Sequence, residues 1–277
     1  MIKNIFDTHA HYDDEKFNQD REELLLSIGN SCVSNAITCG CDIKSSLFNK
    51  ELSEKYDFLY FACGLHPENL EDCSDKDLLK IKEIAKSDKC VAIGEIGLDY
   101  HWMSSSKEKQ IHFFEKQLEL AKELDLPVIV HDREAHQDTL EILKKYKPKG
   151  VLHAFSGSCE MAKELVNIGM YIGFGGVITF KNARKSLEVL NFVPKDKILF
   201  ETDCPYLAPE PYRGKRNDSS KIEFIAKKAA ELLNIDTQQL IDLANRQNSM
   251  FWRFCFIFIC FSNFIYFLRY FFIFLRH

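Results

Sequence analysis

Eight short apolar runs punctuate the first 202 residues, and nearly every pair is separated by a longer amphipathic segment. The runs are 2–8 (IKNIFDT), 33–39 (VSNAITC), 58–63 (FLYFAC), 90–95 (CVAIGE), 127–131 (PVIVH), 150–154 (GVLHA), 170–175 (MYIGFG) and 197–202 (KILFET). Between them lie helical patterns such as 107-KEKQIHFFEKQLELAKELDL-126. There Ile111, Phe114, Leu118, Ala121 and Leu124 recur at three- and four-residue spacing, with charges on the other face. Apolar strands alternating with helices predict a parallel sheet covered by helices. Eight such units in about 205 residues predict a closed TIM (β/α)8 barrel, with a doubly wound open sheet as the structural rival. No repeat, low-complexity linker or Pro/Gly/Ser-rich hinge interrupts residues 1–248, so they are expected to form one domain.

Composition narrows the class. Of 277 residues, 46% are hydrophobic and 28% charged, as in an ordinary globular protein. The start, MIKNIFDTHAHYDD, lacks the basic and apolar regions of a secretory signal. Ten cysteines are scattered without a CxxC pair, which argues against a disulfide scaffold or a zinc ribbon. A cytoplasmic location is therefore expected, with a nuclear one also open. The formal charge of −5 excludes a whole-molecule field for polyanions, so any such contact must be local.

A barrel predicts that chemistry gathers at the C-terminal ends of its strands. His9 and His11 end the first run, Glu95 the fourth, His131 the fifth and His153 the sixth, while Asp203 follows the eighth. Alternation along a strand turns His9 and His11, and also Asp7, to one face. Four imidazoles and two carboxylates exceed what one tetrahedral zinc needs. They suit two divalent ions about 3.5–4 Å apart, sharing a bridging carboxylate and a bridging water. Such a pair generates hydroxide near neutral pH and neutralises charge on oxygen, which points to hydrolysis. Imidazole favours zinc, manganese or iron, and the carboxylates leave magnesium open.

The stretches FDTHAHYD, 64-GLHPE-68, 92-AIGEIGLDY-100, 128-VIVHDR-133, 152-LHAFSG-157, 201-ETDCPYLAP-209 and 213-RGKRN-217 resemble, in order and spacing, the TatD family of metal-dependent deoxyribonucleases. The resemblance spans residues 4 to about 248. It implies a TIM barrel that hydrolyses phosphodiester bonds of DNA, typically as a 3′→5′ exonuclease with divalent ions (Zn, Mn or Mg). It also implies that His9, His11 and Asp203 hold one ion, that His131 and His153 hold the other, and that Glu95 bridges them. Asp203 would in addition accept a proton from the attacking water. The same resemblance places His66 near the pocket, as a substrate contact or a support for the ligands.

Other substrate contacts come from the residues themselves. Arg133, two beyond His131, could fork onto a phosphate oxygen. The loop 211-PYRGKRND-218 sets Arg213, Lys215 and Arg216 beside Tyr212, a combination suited to single-stranded nucleic acid. A solvated basic turn is the plainer reading of that run. His101, His112 and His136 fall in a loop or on helices and are expected to be satisfied or exposed. Two rivals remain: an amidohydrolase or deaminase acting on a cyclic amide or nucleobase, and a non-catalytic binding module. Against the first stand Glu95, where many dinuclear amidohydrolases place a carboxylated lysine, and the basic loop. Against the second stands the intact ligand set.

From Ser249 the composition breaks. The last 28 residues hold ten of the 23 phenylalanines, three arginines and no acidic residue. The uncharged run 254–268 is 15 residues, short of the roughly 20 a spanning helix needs. Phe, Ile, Leu, Tyr and Cys share T-rich codons, so residues 249–277 are expected to be a frameshift or read-through product in preference to a membrane anchor.

Overall fold

The computed structural model describes residues 2–251. Eight parallel strands lie in sequence order in one sheet: β1 (Ile5–Ala10), β2 (Val33–Cys39), β3 (Leu59–Cys63), β4 (Cys90–Asp99), β5 (Val128–Arg133), β6 (Gly150–Leu152), β7 (Tyr171–Phe174) and β8 (Ile198–Phe200). Seven helices connect them: α1 (Arg21–Gly29), α2 (Ile43–Lys55), α3 (Asp75–Ile84), α4 (Lys107–Leu124), α5 (His136–Tyr146), α6 (Cys159–Asn167) and α7 (Arg184–Phe192). The helices α8 (Ile222–Leu232) and α9 (Thr237–Phe251) follow β8. The Phe-rich segment beyond Phe251, and with it the frameshift or read-through expectation, lies outside the described residues. No helix among the described residues is long and apolar enough to cross a membrane.

The helices follow from local chemistry. In α4, the Ser106 hydroxyl accepts from the Lys109 N–H at 3.2 Å, and the chain turns left-handed at Asp125 (φ 49°) to stop it. Its inner face buries Phe113, Phe114, Leu118 and Ala121, each contributing on the order of 1–3 kcal/mol where the side chain is large. Gln117 on the same face donates to the Leu65 carbonyl at 3.1 Å and accepts from its N–H at 2.7 Å, which fixes the loop after β3.

A second apolar cluster draws Phe6, Ile37, Ala62, Val91, Ile129, Val151, Tyr171 and Leu199, one or more from every strand. Contributions from all eight strands mark it as the barrel interior, a packed plug beneath the site. The sheet closes on itself, which rules out the open alternative. Asp203 N–H donates to the His9 carbonyl at 2.9 Å and His11 N–H to the Cys204 carbonyl at 2.7 Å. Closure carries β1 through His9 to Ala10, so the strand runs later than its apolar run indicates.

The buried carboxylate of Asp7 latches this seam. It accepts from Thr202 N–H (2.9 Å), Thr202 Oγ1 (2.6 Å) and Ser219 Oγ (2.6 Å). It also accepts from the His9 backbone N–H at 3.3 Å, so Asp7 is a structural group and does not join the His9 and His11 side chains at the barrel mouth. Burial pushes its carboxyl up to about 6 against the pull of those hydrogen bonds. Asp7→Ala is expected to destabilise the barrel by roughly 3 kcal/mol, because several buried donors lose their acceptor together. Denaturant unfolding measures it, and a change under about 0.5 kcal/mol, the ordinary surface value, would remove the latch.

Candidate metal centre

The six side chains of the predicted set reach the barrel mouth from five strands, with His9 and His11 both from β1, and Glu95 is their meeting point. Its Oε2 lies 3.3 Å from His9 Nε2 and 3.4 Å from His11 Nε2. Its Oε1 lies 2.7 Å from His153 Nε2, 3.0 Å from His131 Nδ1 and 3.4 Å from His66 Nε2. Asp203 Oδ1 completes the first half, 3.6 Å from His9 Nε2 and 3.5 Å from His11 Nε2. The two carboxylate oxygens thus face two separate imidazole groups. The His9 and His153 rings stack at 3.9 Å between them.

The other nitrogens show how the rings are aimed. His11 Nδ1 lies 3.1 Å from the Cys39 carbonyl, which fixes the tautomer with N–H there and leaves the Nε2 lone pair facing inward. His131 is held the opposite way round. Its Nε2–H donates to Asp99 Oδ2 at 2.9 Å, leaving the Nδ1 lone pair inward. Strand β4 approaches β5 closely to make this fit. At Gly97 (φ +144°) an added Cβ would fall 2.0 Å from the His131 carbonyl. Two inward nitrogens, His9 Nε2 and His11 Nε2, sit only 2.9 Å apart. Lone pairs converging from rings whose far nitrogens are occupied, as those of His11 and His131 are, have the arrangement of metal ligands.

Charge agrees with this. Burial raises the Glu95 carboxyl, but His153, His9 and His66 around it outweigh burial and hold it well below the ordinary range. Asp203 is likewise lowered, burial being overcome by His11 and His9. Both stay ionised at neutral pH, as ligands must. Glu201 behaves oppositely: burial pushes it up to about 8. Its Oε1 accepts from the Ala154 N–H and lies 3.9 Å from His153 Nδ1. These residues could hold divalent cations in the groupings His9–His11–Asp203, His9–Glu95–His153 and His66–Glu95–His131.

All of the set but the fully buried His9 line a cleft of about 650 Å³, whose walls include Asp13, Cys41, Glu68, Trp102, Arg133 and Tyr206. His66 and Arg133 are therefore at the cleft. The basic side chains of the loop after β8 and Tyr212 have other surroundings. Arg216 is clamped by Asp20 at 2.7 and 2.6 Å and by the Lys16 carbonyl at 2.8 Å. Arg213 lies over Phe180 at 4.2 Å, and Lys215 is exposed. Tyr212 packs edge-on against Phe224 and lines a different cavity. None of these four residues is among those that line the cleft. His101, His112 and His136 pair at the surface with Glu134, Asp75 and Asp132.

Sequence reasoning passed over Asp99, Glu201 and Trp102. Asp99 stood in view in GLDY, two residues after Gly97, but looked like a loop residue because Glu95 was taken as the strand end. In fact β4 continues and Asp99 pairs with Arg133 of β5. Backbone N–H groups of His101 and Trp102 fix Asp99 Oδ1 at 3.0 and 2.9 Å. Asp99→Ala is expected to weaken metal retention about 10- to 100-fold, since a ligand's supporting carboxylate typically carries that much. A chelator competition titration reads this, and unchanged retention would leave His131 self-sufficient.

A (β/α)8 barrel with a histidine-rich carboxylate cluster at its mouth defines a metal-dependent hydrolase. The chain matches the family described as TatD related DNase over residues 6–252, and it belongs to that family. It is 40% identical over 252 residues to YabD of Bacillus subtilis, an uncharacterized metal-dependent hydrolase, covering 90% of this chain and 99% of that one. It is 32% identical over 238 residues to the 3′-5′ ssDNA/RNA exonuclease TatD of Cronobacter sakazakii, covering 82% of this chain and 89% of that protein. The crystal structure of YjjV, a TatD homolog from Escherichia coli, superposes with a TM-score of 0.84 at 31% identity, covering 91% of this chain and 99% of that one.

Proposed function

We propose that this hydrolase cleaves phosphodiester bonds of DNA, shortening single strands from the 3′ end, at a site for two divalent ions. The observation that carries the reading is the division of Glu95, with one oxygen toward His9 and His11 and the other toward His131 and His153. A bridging carboxylate must have that form. His9, His11 and Asp203 would hold one ion, and His131 and His153 the other. Ions bound there supply Lewis acidity toward a phosphate oxygen and an acidified water near neutral pH.

The chain's own groups do the rest. Asp203, 16% exposed and ionised, is open to the cleft and accepts the proton of the attacking water. Arg133 offers the cleft wall a guanidinium fork for the phosphate, the local cation that a net acidic protein needs. Free thiols at all eight cysteines of the described residues support a cytoplasmic site of action. Residues 1–248 are proposed as the catalytic domain, since every ligand lies within them.

The test uses full-length protein stripped of metal and given magnesium, manganese or zinc separately, acting on end-labelled single-stranded DNA. The expected result is a ladder from 5′-labelled strands and immediate mononucleotide release from 3′-labelled ones. Intact DNA with folded, metal-loaded protein would contradict it and direct attention to cyclic amides and nucleobases.

A further inference from the structure

Two large aromatic rings stand in water at the mouth of the cleft, and neither the fold nor the metal centre requires them there. Trp102 is 58% exposed and Tyr206 45% exposed, and both line the cleft above Glu95 and Asp203. Trp102 comes from the loop after β4 and Tyr206 from the loop after β8. Three strands lie between β4 and β8 either way round an eight-stranded closed sheet, so the two rings rise from opposite walls.

Both rings are anchored. The Trp102 backbone N–H donates to Asp99 Oδ1 at 2.9 Å, the carboxylate whose other oxygen holds His131, so the main chain that carries the indole is tied to that support, and the His101 ring packs edge-on against the indole with centroids 4.8 Å apart. The Arg133 guanidinium lies over the indole, 5.3 Å from its centroid. Across the cleft, the Tyr206 hydroxyl donates to Asp14 Oδ2 at 2.6 Å, and Lys16 Nζ sits 4.0 Å over that ring. Each aromatic is thus a fixed apolar surface carrying a cation. Fixed rings lose little freedom when a flat partner settles on them. Ring plus cation beside a hydrolytic floor matches the alternation of base and phosphate along a single strand.

Resting on the nuclease reading above, we propose that Trp102 and Tyr206 form a nucleobase clamp. The bases flanking the scissile phosphate stack on the two rings, while Arg133 receives the phosphate. Because every base has a π-face, such a clamp holds single strands with little sequence preference and has no grip on a base-paired interior.

Trp102 is itself the reporter, since the only other tryptophan is Trp252. In full-length, manganese-loaded Trp252→Phe protein, indole fluorescence is followed during titration with two oligodeoxynucleotides of equal length and phosphorothioate linkages. One carries bases throughout, and the other has abasic residues at its last 3′ positions. The expected result is quenching by the first, with binding about 5- to 100-fold tighter than the second. Read instead by the anisotropy of the end-labelled oligonucleotides, Trp102→Ala should lose that discrimination and Trp102→Phe should keep most of it. Equal binding of both oligonucleotides to wild type, or binding without quenching, would overturn the clamp. DNA hydrolysis without base discrimination would remove the clamp and leave the nuclease reading. Base-dependent quenching without hydrolysis would do the reverse.

Discussion

Replacing Glu95 by alanine should lower metal-dependent turnover by at least about 10³-fold while the barrel still unfolds cooperatively. The size follows from position. Loss of a supporting residue outside the ligand shell costs about 10- to 100-fold, and Glu95 lies inside it, against five imidazoles. Its removal takes away the single group that faces both halves of the set. The barrel does not depend on it, because the interior cluster and the β1–β8 seam are built from other residues. Glu95→Gln, which keeps volume and loses charge, should fall nearly as far. Kinetics with circular dichroism on the same preparations tests this. Full activity in a folded Glu95→Ala protein would abolish the bridging role.

Chelation should have the second large effect: activity lost entirely, and the thermal midpoint lowered by about 5–10 °C. An ion present at 100 times its dissociation constant adds about 2.7 kcal/mol, and about 1 kcal/mol moves a domain of this size by 2–4 °C. Restoring one ion at a time should restore both quantities together. In Glu95→Ala the chelator should no longer shift the midpoint, which separates loss of the site from general weakening.

Much of this was legible because barrels obey local rules. β2 begins and ends where its apolar run does, and the periodic face of α4 is the face that packs. The ligand positions were readable since the active face lies at strand ends whatever the loops do. What escaped depended on contacts distant in the chain. Glu95 looked like a strand terminus because a charge usually ends a buried run, and only the imidazoles from three other strands and a loop make its burial tolerable. Asp99 consequently seemed a loop residue. The basic stretch 213–216 looked like a substrate groove because it follows the last strand. Asp20, nearly 200 residues earlier, already holds Arg216, and nothing local announces that pairing. The cleft aromatics were missed for a related reason: Trp102 and Tyr206 become neighbours only when the sheet closes.

The proposed two-ion centre is tested most directly by counting metal. Full-length protein is reconstituted with manganese or zinc, freed of excess ion, and analysed for metal per chain alongside activity. The expected result is about two ions per chain in active wild type, with neither retained by Glu95→Ala. A fully active preparation holding one ion or none would contradict the centre described here.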